Sequence, residues 1–211
     1  MTDKLCVQYG CGWYAPAGWR NFDASPTLRF ERIPLLGRLY TKNTGRFPEN
    51  VEYGDIVAGL PISDNSCQAV YCSHILEHLA LDDFRLALKN TYRILAFGGI
   101  FRFVLPDLEH SIKTYMADSS HDAATKFMHE TLLGKEKRPR GLKGMILEGL
   151  GNSQHYWMWD FKSISFELQQ AGFTDIRRAS FGDSSEGKFQ VVEAWERWEN
   201  CLGVECKKVS E

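Results

Sequence analysis

The sequence predicts an α/β fold built on a doubly wound, mostly parallel sheet. Short apolar runs alternate along the chain with segments of helical periodicity, which is typical of parallel strands covered by helices on both faces. The first run ends at Gly10-Cys11-Gly12, and a second short run ends at Asp23. A strand, a glycine turn and a carboxylate after the next strand are the means by which such sheets bind an adenosine-containing cofactor.

Seven strands are expected from the apolar runs, at residues 4–9, 20–23, 50–53, 68–72, 100–105, 174–180 and 201–209. Amphipathic periodicity predicts two longer helices, at 81–96 with Asp82 as its cap and Gly98-Gly99 as its stop, and at 160–171 between Asp160 and Gly172. Weaker helical patterns occur at 107–117, 121–133, 142–150 and 189–199, and one short helix is expected within 24–47.

Length and composition favour one globular domain spanning residues 1–211. The chain has 211 residues, is 44% hydrophobic and carries a net charge of −2, so it has no overall basic field for a nucleic-acid partner. No signal-peptide pattern and no long apolar stretch occur, so we expect a cytoplasmic protein without a membrane partner. The six cysteines form no CxxC pair and are expected to be free thiols. The sequence does not indicate the oligomeric state.

The long segment 107–159 follows the fifth strand and is expected to form a lid over the second substrate. Ligands of open α/β sheets bind beyond the carboxyl ends of the strands, and this segment leaves from that edge. It contains five glycines and a group of basic residues, which are Lys135, Lys137, Arg138, Arg140 and Lys143. The basic residues either contact an anion on the substrate or form a solvated loop.

Several sequence blocks occur in an order known from one enzyme family. They are Tyr9–Gly12, Gly18–Asp23, Gly54–Ile56, Asp64–Ser66, Ser73–Leu79, Tyr92–Leu95, Gly98-Gly99, Val104–Asp107, His155–Asp160 and Ala171–Phe173. Together they resemble the class I S-adenosylmethionine (SAM) dependent methyltransferases. The most similar variant is the small bacterial, methyltransferase type 11-like kind often associated with polysaccharide biosynthesis.

The resemblance implies a Rossmann-like fold, SAM as the cofactor, and methyl transfer to an oxygen or nitrogen of a small-molecule or saccharide-type acceptor. By the same resemblance Asp23 would bind the ribose hydroxyls and Asp55 the adenine amino group. The full set of implied cofactor-binding residues is Tyr9, Gly10, Cys11, Gly12, Asp23, Asp55, Ile56 and Ser73. Five of them also have a structural alternative, such as a turn glycine, an Asx turn or a helix cap; these are Gly10, Gly12, Asp23, Asp55 and Ser73. The family often has an acidic residue where this chain has Gln8.

Two histidines, His74 and His155, are the candidate catalytic residues, because an acceptor hydroxyl needs a general base. His74 opens the sequence His-Ile-Leu-Glu-His, which is also a zinc-protease pattern when both histidines share a helix face. Because family members carry similar residues there, no metal is expected and His78 is interpreted as structural. His155 either faces the acceptor beside the aromatic residues at 156, 157 and 159 or packs into a buried aromatic cluster.

Two other functions remain alternatives to methyl transfer. The first is a noncatalytic SAM-fold partner protein. Gln8 favours this alternative, whereas the presence of Gly10, Gly12, Asp23 and Asp55 argues against it. The second is a zinc hydrolase that uses His74 and His78 as ligands.

Overall fold

The centre of the molecule is a seven-stranded sheet. The computed structural model describes residues 5–34, 37, 45–136 and 154–209. The strands are β1 Leu5–Tyr9, β2 Arg20–Asp23, β3 Val51–Tyr53, β4 Cys67–Ser73, β5 Leu95–Pro106, β6 Phe173–Ala179 and β7 Cys201–Lys208. Their order in the sheet is β3-β2-β1-β4-β5-β7-β6.

The sheet is mostly parallel, as predicted. All pairings from β3 across to β5 are parallel, whereas β7 lies between β5 and β6 and is antiparallel to both. From β1 the chain first builds outward through β2 and β3, and then returns to place β4 on the other side of β1. The strand order therefore reverses at β1, and ligands of open α/β sheets bind beyond the carboxyl ends of the strands at such a point.

Helices cover both faces of this sheet. They are α1 Pro26–Glu31, α2 Leu81–Ile94, α3 Leu108–Ala117, α4 Ala123–Glu130, α5 Phe161–Gln170 and α6 Trp195–Trp198, with short 3₁₀ helices at Leu76–His78 and Gly187–Val191. The helix predicted at 189–199 is divided between the second 3₁₀ helix and α6. The helix predicted at 142–150 lies outside the described residues.

Helix α2 begins at Leu81, as predicted, but its cap residue and its C-terminal end differ from the prediction. Its cap residue is Ala80, and Asp82 lies in the first turn, where its charge still favours the positive end of the helix dipole. The helix passes directly into β5 at Leu95, so the double glycine lies inside that strand. A Cβ on Gly99 would lie 2.7 Å from the carbonyl oxygen of Cys67, so this glycine allows β4 and β5 to approach closely.

The boundaries predicted for α5 are confirmed. Asp160 accepts a hydrogen bond from the Ser163 amide at 2.7 Å, which is the usual bond of an N-terminal cap. Gly172 follows the helix with a φ of +99°, a conformation that favours glycine at a helix end.

Two apolar layers bury the sheet. One layer packs side chains of α2 and α5, including Phe84 and Ile164, against Val7 of β1. The other packs Trp198 of α6 against the opposite face, where Cys6 of β1 also points. Adjacent residues of β1 therefore enter opposite layers, as the two-residue period of a strand requires. All six cysteines are unbridged.

The segment after β5 leaves the carboxyl edge of the sheet and returns to it. Helices α3 and α4 come first, and the basic residues at 137–143 and the glycines at 141–151 lie outside the described residues. The chain returns beside the sheet at Trp159, whose carbonyl accepts a hydrogen bond from the Leu108 amide at 3.0 Å. Within the described residues, no helix has both the length and the apolar character needed to cross a bilayer.

Candidate functional site

Two cavities flank the glycine turn that follows β1. The first, here called the Ser73 cavity, has a volume of about 380 Å³ and extends from the glycine turn to Ser73 and Arg197. The second, the Asp23 cavity, has a volume of about 440 Å³ and extends from the same turn to Asp23 and Asp55. Tyr9 and Gly10 line both cavities, so the two form adjoining halves of one site.

Every residue predicted to bind the cofactor lines one of these cavities. Cys11, Gly12 and Ser73 line the Ser73 cavity, and the Asp23 cavity contains Asp23, Asp55 and Ile56. They converge because β1, β2 and β4 are parallel neighbours whose carboxyl ends meet at one edge. The candidate catalytic residue His74 also lines the Asp23 cavity.

The glycine turn needs its glycines for two different reasons. Gly10 and Gly12 both have positive φ angles, +66° and +56°, which disfavour other residues. A Cβ on Gly10 would lie 2.0 Å from Cδ1 of Ile75, whereas a Cβ on Gly12 would meet no atom within 4 Å. Gly10 therefore allows the loop after β4 to pack on the turn, and Gly12 borders open space.

Asp23 connects the glycine turn to the end of β2. Its Oδ2 accepts a hydrogen bond from the Gly12 amide at 2.9 Å, and its Oδ1 accepts one from the Ser25 amide at 2.8 Å. The second bond is the Asx turn that the sequence allowed as an alternative role. Since a carboxylate has about four acceptor positions, Asp23 still has capacity for two ligand hydroxyls.

Asp55 and Ser73 occupy the outer walls of the two cavities. Asp55 accepts a hydrogen bond from the Val57 amide at 2.8 Å, which holds its carboxylate beside the buried Ile56. Ser73 does not cap a helix, because its hydroxyl accepts a hydrogen bond from Nε of Arg197 at 3.2 Å. Arg197 therefore adds a positive charge to the Ser73 cavity, which sequence analysis did not identify.

Three uncharged side chains support the glycine turn, and they belong to Tyr9, Cys11 and Gln8. The Tyr9 ring is buried, which raises its pKa, and its hydroxyl lies 3.3 Å from Oγ1 of Thr91. Burial and the nearby Asp23 raise the pKa of the Cys11 thiol to about 12, so this thiol is neutral. Gln8 donates a hydrogen bond to the Tyr14 carbonyl at 2.7 Å and thereby holds the loop after the turn.

The sequence His-Ile-Leu-Glu-His does not form the helix that a zinc protease requires. His74 has a φ of +54°, and only one 3₁₀ turn, Leu76–His78, follows it. Nε2 of His74 lies 2.9 Å from the carbonyl oxygen of Arg197. The two histidines therefore do not share a helix face, and the structure does not support them as a pair of zinc ligands.

Four polar side chains instead meet around Glu77, and we call His74, Glu77, His78 and His155 the Glu77 cluster. Oε1 of Glu77 lies 3.2 Å from Nδ1 of His74 and 4.0 Å from Nε2 of His155. The rings of His78 and His155 meet edge to face, with centroids 4.9 Å apart. Glu77 is fully buried, and neither of its carboxylate oxygens has an aligned hydrogen-bond donor.

The histidines of the cluster have opposite electrostatic character. Burial alone would lower the pKa of His74, but its contacts with Cys201 and Glu77 and its hydrogen bond to a main-chain carbonyl outweigh burial and raise this pKa to about 10. Burial lowers the pKa of His155. His74 is therefore the cation that faces Glu77, and His155 is a neutral imidazole near neutral pH.

The segment 154–159 brings His155 to this cluster through main-chain bonds. The amides of Tyr156 and Trp157 donate to the carbonyl oxygen of Glu77 at 2.8 and 3.2 Å. His155 is 8% exposed and lies behind His78, not on the cavity wall. Of the expected aromatic wall, Trp157 and Trp159 contact each other with ring centroids 5.9 Å apart. Trp159 stacks on Phe84 in the core, whereas Tyr156 is exposed.

A larger groove, of about 600 Å³, lies between α2 and α5. Its lining includes the ion pair of Arg85 and Glu167, but none of the glycine-turn or strand-end residues. The two cavities at the glycine turn are therefore the candidate functional site.

Comparison with known proteins gives the same assignment for the fold. Residues 37–103 match a family model described as a methyltransferase domain. A SAM-dependent methyltransferase from Thermotoga maritima superposes with a TM-score of 0.54 at 15% identity, over 99% of this chain and 84% of that chain. One from Methanosarcina mazei gives a TM-score of 0.50 at 15% identity, over 100% and 95% of the two chains. The chain has the class I SAM-dependent methyltransferase fold.

A third similar structure is a chain from the Haloferax volcanii complex between a methyltransferase and its activator Trm112, with a TM-score of 0.51 at 15% identity, over 98% and 83% of the two chains. Comparison with curated sequences gives no significant match. The predicted class I methyltransferase fold is confirmed, and the domain match supports SAM as the cofactor. The association with polysaccharide biosynthesis stays a prediction.

Proposed function

We propose that this protein transfers the methyl group of SAM to an oxygen or nitrogen of a small-molecule or saccharide-type acceptor. The observation that carries the proposal is the pair of adjoining cavities around a glycine turn that is fixed by Asp23. A noncatalytic partner protein would not need these cavities to be open. SAM would supply an activated methyl group on a sulfonium sulfur.

The residues on the cavity walls fit the two ends of SAM. Asp23 has acceptor capacity for two ribose hydroxyls, and Asp55 with Ile56 offers an acceptor beside an apolar surface for adenine. In the Ser73 cavity, Gly12 leaves open space for the amino-acid end. Arg197 lines that cavity and supplies a cation of suitable charge for a carboxylate.

The acceptor is proposed to bind on the side of the Glu77 cluster. His74 and His78 line the Asp23 cavity, and His155 contacts both Glu77 and His78 behind that wall. We assign to this cluster the removal of a proton from an acceptor hydroxyl. The segment 107–159 would act as a lid, since its described parts lie at the same edge of the sheet.

Calorimetry tests the cofactor assignment. SAM and its demethylated product should bind in a 1:1 ratio, whereas NAD should not bind. Asp23→Ala should weaken SAM binding at least about tenfold, because hydrogen bonds to a charged acceptor contribute roughly 1.5–3 kcal/mol. Asp83→Ala is the matched control, because Asp83 is an exposed aspartate in the first turn of α2.

Two results would count against the assignment. Unchanged SAM affinity in Asp23→Ala would remove Asp23 from the site, while leaving the fold assignment intact. Failure of the parent protein to bind SAM or its product would overturn the proposed function.

A further inference from the structure

We propose that Glu77, His78 and His155 bind one divalent transition-metal ion beside the Asp23 cavity. One donor atom from each of these residues lies within 4.8 Å of the others. Ligands of a single zinc ion, each about 2.0–2.2 Å from the metal, lie about 3.4 Å apart in a tetrahedral site. Side-chain movements on the order of 1 Å would therefore close the three donors around an ion.

The buried carboxylate of Glu77 is the strongest evidence for an ion. Glu77 is fully buried, and neither oxygen has an aligned hydrogen-bond donor. Buried polar groups are normally paired or bound to a metal. His74 faces Glu77 only on the side of Oε1, and a metal ion would give the carboxylate a partner for its remaining acceptor positions.

The surroundings of His78 and Glu77 resemble the support that metal ligands usually have. Nδ1 of His78 lies 2.9 Å from the carbonyl oxygen of Gln154, a bond that places the proton on Nδ1 and the lone pair on Nε2. Metal-binding histidines commonly have such a bond at the nitrogen remote from the metal. His74 contacts Oε1 of Glu77 and would orient the carboxylate as a positioning residue.

The donor set indicates the class of metal. Two histidines and one glutamate are the ligands of many catalytic zinc sites, and two histidines with one carboxylate also bind iron(II) with open positions. Three protein ligands leave at least one position for an oxygen of another molecule. The zinc alternative considered in the sequence analysis paired His74 with His78, whereas the fold brings His155 to Glu77 and His78 from the distant segment 154–159.

This inference rests on the proposed function in one respect only, the identity of the oxygen that the ion would bind. His78 lines the Asp23 cavity, so an open coordination position on that side would take the acceptor's hydroxyl. A bound cation lowers the pKa of a coordinated hydroxyl. The hydroxyl would release its proton to water in the Asp23 cavity before it takes the methyl group, and His155 would act as a ligand of the ion and not as a free base.

Cobalt(II) titration of chelator-treated, tag-free protein tests the site directly. Visible absorption should saturate at one Co²⁺ per chain, and added Zn²⁺ should abolish it by displacing the Co²⁺. Glu77→Gln and His155→Ala should each weaken Co²⁺ binding at least about 100-fold, because changes even in supporting residues typically reduce metal affinity 10–100-fold. His110→Ala is the control, because His110 is an exposed histidine of α3 and should leave Co²⁺ binding unchanged.

Thermal melting separates a metal ligand from a structural glutamate. Glu77→Gln also removes the charge that faces the His74 ring, so the metal-free variant has its own melting temperature and the metal is read out as the shift that Zn²⁺ adds to it. Zn²⁺ should raise the Tm of the parent protein but not that of Glu77→Gln. Parent-strength Co²⁺ binding in both ligand variants, or no stoichiometric binding by the parent, would overturn the proposal. SAM calorimetry on the same samples tests the proposed function separately, because it needs no metal.

Discussion

At the scale of single residues, alanine variants of Gly12 and Gly18 distinguish the effect of backbone strain from the effect of a side chain in the Ser73 cavity. Both have positive φ angles, +56° and +84°, and an added Cβ would meet no atom within 4 Å at either position. Alanine should therefore cost each variant about 1–2 kcal/mol of stability, as measured by urea unfolding. Only Gly12 lines the Ser73 cavity, so only Gly12→Ala should also weaken SAM binding in calorimetry, by at least about tenfold.

Gly18→Ala is the internal control for this experiment, since it has the same kind of strain away from the glycine turn. Equal SAM affinity in the two variants would show that the cofactor does not approach Gly12. It would also move the amino-acid end of SAM out of the Ser73 cavity.

Sequence analysis identified some residues of the candidate site and missed others. The two groups differ in how far along the chain each residue lies from the residue it contacts. Gly12 and Asp23 were found because a turn and the next strand end lie 11 residues apart and bond to each other. Arg197 bonds to Ser73 across 124 residues, and His155 reaches Glu77 from the end of another long segment. No local pattern encodes such contacts, because they depend on where the fold returns the chain.

At the scale of elements, β5 contains a buried arginine that holds the chain between β6 and β7. Arg102 is fully buried and forms salt bridges with Glu193, with Asp183 at 2.9 Å and with Glu205 at 3.0 Å. Its guanidinium lies 4.5 Å from the ring centroid of Trp198. The network fixes residues on both sides of α6, the helix that carries Arg197 to the Ser73 cavity.

Arg102→Met should destabilise the protein by about 3–5 kcal/mol in urea unfolding, because it leaves buried carboxylates without their cation. Arg85→Met is the matched control. Arg85 pairs with Glu167 on the surface, and loss of such a pair costs only about 0–1 kcal/mol. A similar small effect for both variants would show that the buried carboxylates of the network find other partners.

Asp183 makes this network sensitive to acid. Burial alone would raise the pKa of Asp183, but bonds from Arg177, the Ser180 amide and Arg102 outweigh burial and lower the pKa from 3.8 to about 2. As the pH falls, the unfolded chain therefore binds this proton before the folded chain does. The stability that Asp183 contributes is present above about pH 4 and is lost between about pH 4 and pH 2.

Asp183→Asn should accordingly be less stable than the parent at pH 7 and lose less stability between pH 4 and pH 2. Guanidinium unfolding midpoints across this range measure both effects. The difference between the two proteins should shrink as the pH approaches 2. A constant difference at every pH would mean that the network does not depend on the charge of Asp183.

The sequence predicts whether a segment is a strand or a helix where a local apolar run or helical periodicity marks it. It predicts the residues at which these elements begin and end less well. The strands β2 and β4 and the helix α5 lie close to where the sequence places them. The junction of α2 with β5 was missed, because the double glycine that usually ends a helix serves here to let β5 approach β4. Tertiary contact at Gly99 thus overrides the local signal.

At the scale of the whole molecule, the reversal of strand order at β1 determines where ligands bind. It opens the carboxyl edge of the sheet between β1 and its neighbours, and both cavities lie there. The chain then uses the segment after β5 to reach the same edge from outside. In the proposed function, the cofactor side depends on β1 and β2, whereas the acceptor side depends on β4 and the returning segment.

If SAM binds the cavities of the folded protein, it should raise the temperature of thermal unfolding. A ligand at 100 times its Kd stabilises the folded state by about 2.7 kcal/mol, which for a chain of this size is a rise in Tm of about 5–11 °C. NAD at the same concentration should give no rise. Calorimetric scans with and without ligand measure the shift, and equal shifts for SAM and NAD would mean that the cavities do not select the cofactor.

His155→Ala should keep the SAM-induced rise in Tm, because His155 touches Glu77 and His78 and lines neither cavity wall. Turnover, measured as release of demethylated SAM with a panel of hydroxylated acceptors, should fall at least about 100-fold, which is the usual scale for loss of a proton-handling group. His110→Ala should change neither quantity. Loss of the SAM shift together with turnover would place His155 on the cofactor side, and parent-level turnover would remove it from the chemistry.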